Sequence, residues 1–376
     1  MKIALVLEYA HARPWEHTGP WGIALSRAFA ERGHDVTVFA DGVANPGWFD
    51  DRVNVELRRP LRRSVEADPL GFAGWVDRRT RAHAGISLSL TRVWPGQVWV
   101  PMGRSAAHEA RRLLALYRRP AMLVMQGSQR LWLPGAVWAE RKARQLARER
   151  GSSVISIGEP VFKGVRTLPP ASPVPSGTKT SRHDVRMLLG IPHDTLLMVT
   201  SSVHISDAAF GPFLRAAGEL GRRRGVRVVV TGGRPHAVAR AADAFDARTV
   251  VVPLGQTEQM AELIDAADLV VCPGGAEPAR GSGTGRLVAE AAMAGKPLVV
   301  GRRAGGAGVA RSASWSIVVD DDSDWDEAMQ IAGDDAWRVR ASFAAANAAP
   351  GFAFGRVVDV LESELARLER RGLSRR

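Results

Sequence analysis

Apolar residues in this chain come in short bursts separated by stretches of helical spacing, and the alternation starts almost at once. Residues 3–7, Ile-Ala-Leu-Val-Leu, form an apolar run of strand length. A polar loop holding His11, His17, Gly19, Pro20 and Gly22 follows, and Ile23, Leu25, Ala28 and Phe29 then recur at helical spacing. Gly33 closes that helix, and residues 36–39 predict the next strand. Further strands are predicted at 97–100 and 154–157, with helices over 106–116 and 137–150.

The stretch 168–177, Leu-Pro-Pro-Ala-Ser-Pro-Val-Pro-Ser-Gly, suits neither helix nor central strand, because its prolines remove donors and fix the backbone. It reads as a linker. Beyond it the alternation restarts: strands at 195–200, 226–231, 250–252, 269–272, 297–300 and 315–319, and helices at 209–221, 235–245, 257–266 and 284–294. Residues 354–373 predict a long amphipathic helix. The pattern predicts an α/β protein of two tandem Rossmann-like, doubly wound domains, with no short-period repeat.

Composition agrees with that picture. The chain of 376 residues is long enough for two cores, and 45% hydrophobic with 24% charged residues is a soluble globular balance. Its single cysteine, Cys272, allows neither an intramolecular disulfide nor a cysteine-rich metal site. The N-terminus turns polar too early for a signal peptide, and no apolar run approaches the roughly 20 residues of a spanning helix. A cytoplasmic protein is expected.

The net charge of +12 is concentrated in arginines between about residues 58 and 150, among them Arg58, Arg62, Arg79, Arg81, Arg112, Arg119, Arg144 and Arg150. Such a surface attracts anionic lipid headgroups, polyanionic saccharides or nucleic acid, although solvated helix faces in an arginine-rich chain read the same way. No zinc-finger spacing or RNA-binding signature accompanies it, so no nucleic-acid partner is expected.

The stretch 269–301 carries the most chemistry. It reads as strand, glycine-rich loop, helix with one carboxylate, tight turn and strand. Gly281, Gly283 and Gly285 allow close approach of the backbone to a ligand, and a helix starting near Thr284 aims free N–H groups at an anion. Glu290 lies in the early turns of that helix, where a carboxylate also simply complements the helix dipole. Gly232, Gly233 and Arg234 form a second loop after a strand, and Gly19 and Gly22 punctuate the first one.

Taken in order, several segments resemble the retaining glycosyltransferases of the two-Rossmann-domain GT-B fold, family 4. They are 3–7 with 25–39, Ser153-Val-Ile-Ser-Ile-Gly-Glu-Pro-Val, Leu263-Ile-Asp-Ala-Ala-Asp-Leu-Val-Val, and Leu287-Val-Ala-Glu-Ala-Ala-Met-Ala-Gly-Lys-Pro-Leu-Val-Val. Residues 86–103 are similar to the branch that builds lipopolysaccharide core and exopolysaccharide. The resemblance implies two domains facing each other across a cleft. Residues 1–167 would bind the acceptor, with the helix 354–376 packing back on them; 168–180 would be the linker, and 181–353 would bind a nucleotide sugar.

The resemblance further implies a glycosyltransferase (EC 2.4) that moves a sugar, with retention, to a saccharide or lipid-linked acceptor in cell-envelope polysaccharide or glycolipid synthesis. No cofactor or metal is implied, and peripheral contact with an anionic membrane is an expected partnership. Glu290 takes the ribose hydroxyls; Gly283, Thr284, Gly285 and Arg286, with Gly232, Gly233 and Arg234, surround base and diphosphate; Gly19 and Gly22 approach from the first domain. The family pattern has two glutamates separated by seven residues, and the position paired with Glu290 is Ser282. Ser282 and Glu277, on the same loop, are therefore the catalytic candidates.

The cations that clamp the diphosphate are expected after the first strand of the second domain, where Ser201-Ser-Val-His-Ile-Ser-Asp offers only His204. Arg104, Arg234, Arg280 and Arg286 are the alternatives. The histidine expected near the reacting carbon falls on Met102 or Gln126, with His108 and His17 elsewhere. These departures define the alternative reading, a non-catalytic GT-B-like protein that binds a sugar nucleotide or glycan or acts as a scaffold.

Overall fold

The computed structural model describes residues 1–10, 18–43, 45–58, 68–102, 133–158, 165–173, 180–201, 210–232, 234–257, 259–273, 284–302, 304 and 306–372. The predicted helix over 106–116 lies outside them. The chain divides into two compact units, Met1–Leu168 with Val357–Arg376, and Pro169–Arg356.

The first unit is built on a parallel sheet of seven strands: β1 (Lys2–Ala10), β2 (Asp35–Val43), β3 (Val53–Leu57), β4 (Ile86–Ser89), β5 (Val98–Trp99), β6 (Ser153–Ile157) and β7 (Arg166–Leu168). Their spatial order is β3-β2-β1-β4-β5-β6-β7. Ile3 to Leu7 are fully buried because β1 is central and covered on both faces, which is why its sequence is continuously apolar. Helices α1 (Thr18–Glu31), α2 (Pro69–His83) and α3 (Leu133–Glu149) connect the strands, and α12 (Phe354–Arg370) completes the unit. Gly33, at φ +80°, ends α1 in the left-handed conformation, and the N–H of His34 reaches back to the Phe29 carbonyl at 3.1 Å.

The second unit repeats the plan with six parallel strands: β8 (Leu196–Ser201), β9 (Val226–Thr231), β10 (Val251–Gly255), β11 (Leu269–Cys272), β12 (Leu298–Gly301) and β13 (Ser316–Val319). Their order is β10-β9-β8-β11-β12-β13. The helices are α4 (Arg182–Leu188), α5 (Phe210–Arg223), α6 (Pro235–Ala244), α7 (Met260–Ala266), α8 (Thr284–Met293), α9 (Ala307–Ala310), α10 (Trp325–Gly333) and α11 (Asp335–Ala348). Strand residues divide by the two-residue period. Leu197, Val199, Val270, Cys272 and Val300 face α4, α7, α8, α9 and α11. Met198, Val228, Val230, Val271 and Val299 face α5, α6 and α10.

The predicted architecture of two doubly wound parallel-sheet units is the observed one. The elements beyond the predicted set differ in how strongly the sequence marks them. Asp68 caps α2 by accepting from the Gly71 N–H at 2.9 Å, with Pro69 in the first helical turn, an aspartate–proline start that the sequence displays. Helix α11 buries only Ala341 and Ala345, so its stripe has too little contrast to register as periodicity. β3 and β7 are edge strands and are only partly apolar.

The basic stretch is less uniformly exposed than its composition suggested. Arg58 is buried, paired with Asp41 at 2.6 Å and Asp68 at 3.2 Å, and lies over the Phe72 ring. Arg79 pairs with Glu56, Arg144 with Glu140, and Arg81 and Arg150 both with Asp77. Arg58 therefore belongs to the interior, held there because a buried guanidinium needs carboxylate partners. Among the described residues no helix is long and apolar enough to cross a membrane.

Candidate functional site

In open parallel sheets, ligands bind beyond the carboxyl ends of the strands, where the strand order reverses. In the second unit that point lies between β8 and β11. β8 ends at Ser201 and β11 at Cys272, followed by Pro273, and α8 starts at Thr284.

Two glycines show how tightly this edge is built. A Cβ on Gly301, the last residue of β12, would fall 2.2 Å from the Pro273 carbonyl oxygen, so the chain after β11 lies directly against β12. Gly306, at φ +85°, would bring a Cβ within 3.3 Å of the Gly285 Cα and 3.0 Å of Val288 Cγ2. The segment following β12 is thus seated on the first turn of α8, which fixes that helix N-terminus at the carboxyl edge of the sheet.

Helix α8 presents its N-terminal N–H groups and the positive end of its dipole there. Leu287, Val288, Ala289, Ala291 and Ala292 are buried, so the helix is anchored on nearly every side. Its polar exceptions are Arg286 and Glu290. Arg286 Nε donates to Glu290 Oε1 at 2.5 Å, and both side chains are about 10% exposed (10% and 11%). Ser172 Oγ donates to the same oxygen at 2.9 Å. Ser172 is itself held by a parallel bridge to Ala353. Below Glu290, burial pushes the Cys272 thiol far above its ordinary range, and the carboxylate adds to that shift. A thiol in that state is neither a nucleophile nor a metal ligand.

The neighbouring strands supply the rest of the edge. Gly232, at φ +76°, turns the chain after β9, and its N–H donates to the Gly255 carbonyl at 2.6 Å. Arg234 is exposed and forms the N-cap of α6, its carbonyl accepting from the Ala237 N–H at 2.9 Å. Thr231 Oγ1 donates to the Thr200 carbonyl at 3.3 Å. Thr200 Oγ1 is buried without a partner among the described residues, next to the point where the strand order reverses. Buried polar atoms without a partner are few in native proteins. The sequence offered no sign of Thr200 or Ser172, since a lone hydroxyl in a strand or loop has no periodic signature.

The structure brings Gly285, Arg286 and Glu290 together on α8, and places Gly232 and Arg234 two strands away on the same sheet edge. Gly19 and Gly22 lie inside α1, and a Cβ on Gly22 would meet Leu7 Cδ2 at 2.9 Å, so Gly22 serves helix–strand packing. Glu277, Arg280, Gly281, Ser282, Gly283 and Gly233 lie outside the described residues, as do Arg104, His204, Gln126, His108 and His17. Met102 is described, and its carbonyl accepts from Arg92 Nε at 3.0 Å. No group of three metal-binding side chains occurs among the described residues.

Comparison with known proteins bears on this edge of the molecule. Residues 194–334 match the family model "Glycosyl transferases group 1". No curated protein matches the sequence. Among solved structures, WaaG, a glycosyltransferase involved in lipopolysaccharide biosynthesis, superposes with a TM-score of 0.68 at 17% identity, over 93% of this chain and 95% of its own. HepE from Anabaena, solved with UDP and glucose, gives 0.66 at 14% identity over 97% and 99%. Sucrose-phosphate synthase from Thermosynechococcus elongatus gives 0.65 at 15% over 99% of both chains. The chain thus has the GT-B fold of these enzymes, and residues 194–334 of its second unit are similar to the group 1 glycosyl transferases.

Proposed function

We propose that the protein is a glycosyltransferase that moves a sugar from a nucleotide-sugar donor to a saccharide or lipid-linked acceptor, with retention, in the synthesis of a cell-envelope polysaccharide or glycolipid. One observation carries this reading. The N-terminus of α8 is fixed at the carboxyl edge of the second sheet, with Glu290 held on the same helix, inside the segment matching group 1 glycosyltransferases. A helix N-terminus stabilises a diphosphate, and an oriented carboxylate accepts hydrogen bonds from ribose hydroxyls.

In this reading Arg286 and Ser172 orient Glu290 for the ribose, and the glycine-rich loop ahead of α8 contacts the diphosphate. Ser282 or Glu277 acts at the sugar. The leaving diphosphate, stabilised by the helix N-terminus, assists the incoming hydroxyl on the same face of the sugar. The reaction as proposed uses a nucleotide-sugar co-substrate and no metal. The similar HepE was solved with UDP and glucose, which puts UDP-sugars first among donors to test.

The acceptor reading rests on the first unit. On α3, Trp138 is exposed together with Arg141, Lys142 and Arg148, an aromatic and basic face suited to an anionic membrane surface and hence to a lipid-linked acceptor. A peripheral protein of the cytoplasmic face is the corresponding proposal.

A non-catalytic sugar-nucleotide-binding or scaffold protein is the second reading. It is favoured by Ser282, which stands where the resembling enzymes carry an acid. One experiment separates the two. The protein is incubated with a panel of nucleotide sugars and an acceptor extract, and nucleoside diphosphate release and thermal stabilisation are followed for wild type and Glu290→Ala. Release lost in the variant supports the enzyme; stabilisation without release supports the binding protein. Identical responses of both proteins to every donor reject the site.

A further inference from the structure

The second unit has a cavity at the opposite edge of its sheet. Its volume is about 620 Å³, within the range of small-molecule sites, and its walls include Ala267 and Asp268 at the start of β11 and Gly295 and Lys296 just before β12. It opens at the amino ends of the strands, whereas Thr284 and Gly301 mark the carboxyl edge.

The third wall is α11. Gly295, at φ +62°, ends the α8 segment, and a Cβ there would lie 3.5 Å from Ala346 Cβ, so the Gly295–Lys296 turn rests against that helix. Val339, Phe343 and Ala346 form one stripe along α11 at helical spacing and line the cavity. Phe343 is 71% exposed and Val339 57%, an apolar strip facing solvent beside a charged floor.

The charges on that floor do not cancel. Arg182 pairs with Asp268, and Arg338 pairs with Asp335, which Arg224 also approaches at 3.4 Å. The remaining cation, Lys296, donates to the main-chain carbonyl of Asp265 at 2.6 Å and forms no ion pair among the described residues. Burial is the main cause that lowers the pKa of its ammonium; the Arg182 charge adds to it, and the carboxylates of Asp265 and Asp268 partly oppose it.

We propose that this cavity binds a small ring-bearing organic phosphate, with the phosphate on Lys296 and Arg182 and the ring against Phe343. The lining carries the cations Arg182, Lys296 and Arg338 against the carboxylates of Asp268 and Asp335, so its balance favours an anion, and a ring covers the exposed aromatic face. Independently of the donor reading, this is a second site on the same unit.

The test uses phenyl phosphate as probe, titrated calorimetrically into the full chain. Saturable binding is expected, weakened about tenfold in Lys296→Gln through loss of a charge-assisted hydrogen bond. In Phe343→Ser, where the residue is exposed and the fold is not at stake, the expected weakening is about fivefold. Inorganic phosphate binds more weakly than phenyl phosphate, and Glu290→Ala leaves phenyl phosphate binding unchanged, which separates this site from the donor edge. Absence of binding up to about 10 mM probe, or equal affinity in wild type and Phe343→Ser, overturns the proposal. So does binding abolished by Glu290→Ala.

Discussion

Arg286 and Glu290 lie one turn apart on α8 and meet through a 2.5 Å hydrogen bond, while Ser172, from a distant part of the second unit's sequence, donates to the same carboxylate oxygen. The carboxylate is therefore oriented before any ligand arrives. Arg286→Ala removes one of those donors and leaves a mostly buried charge with less compensation. A loss of about 2 kcal/mol in stability is expected, read from urea unfolding. Donor affinity should fall along with it; a variant as stable as wild type with unchanged donor binding would show that the pair orients nothing.

Gly301→Ala tests the construction of the same sheet edge. The added Cβ would stand 2.2 Å from the Pro273 carbonyl oxygen, a main-chain atom, so β11 or β12 must shift. Destabilisation of about 1–3 kcal/mol is expected, from overpacking where the neighbour is backbone. Gly308→Ala, where the new Cβ meets nothing within 4 Å, is the control and should change stability little.

Asp268 ties three elements together at the amino edge of the second sheet. It accepts from the Leu197 N–H at 2.8 Å and from Arg186 at 3.2 Å, and pairs with Arg182. Arg186 is almost fully buried and also donates to the Pro192 carbonyl at 2.8 Å. Asp268→Ala leaves that buried guanidinium without its carboxylate and should cost about 3–5 kcal/mol. Equilibrium denaturation of the variant measures it, and a cost below 1 kcal/mol would contradict the assignment.

Acid should loosen the attachment of α12 to the first unit. Hydrogen bonds from Arg367, aided by one from Ser153, hold the Glu364 carboxyl down at about 2, against an ordinary value of 4.5. A folded pKa below the unfolded one means that the stabilisation is complete above about pH 4.5 and is lost as pH falls toward 2. The window contribution is on the order of 2 kcal/mol. Glu364→Gln should flatten the stability profile between these values, and an unchanged slope would remove Glu364 from the account.

The basic, Trp138-bearing face of α3 predicts binding to vesicles containing anionic lipid that weakens as salt is raised from about 0.05 to 0.5 M. Co-sedimentation measures it. Binding that is absent, or indifferent to salt, argues against a membrane-surface acceptor.

Much of the fold was legible in the sequence because its signals are local. The apolar run of β1, Gly33 at the end of α1 and the valine-rich strands of the second sheet each declare themselves within a few residues. Helix α11 did not, since its buried positions are alanines, and the edge strands β3 and β7 have one or both faces open. Of the candidate site, the sequence marks Glu290 and Arg286 only as residues of one helix after a glycine-rich loop; that they bond to each other is visible in the structure alone. Ser172 was not legible, because nothing near it in the sequence marks a hydroxyl that donates to a carboxylate 118 residues away.

The sequence by itself determined the alternation of strand and helix, the doubly wound class, and a helix carrying Glu290 after a glycine-rich loop. Only the tertiary structure decided that Glu290 is held by two donors, that Arg58 is an interior ion-pair partner, that Gly22 serves packing, and that Lys296 faces a cavity. Backbone periodicity is fixed by neighbours within a turn or two. Which charges meet depends on sheet order and on which helix covers which face, and those are set only once distant segments close on one another.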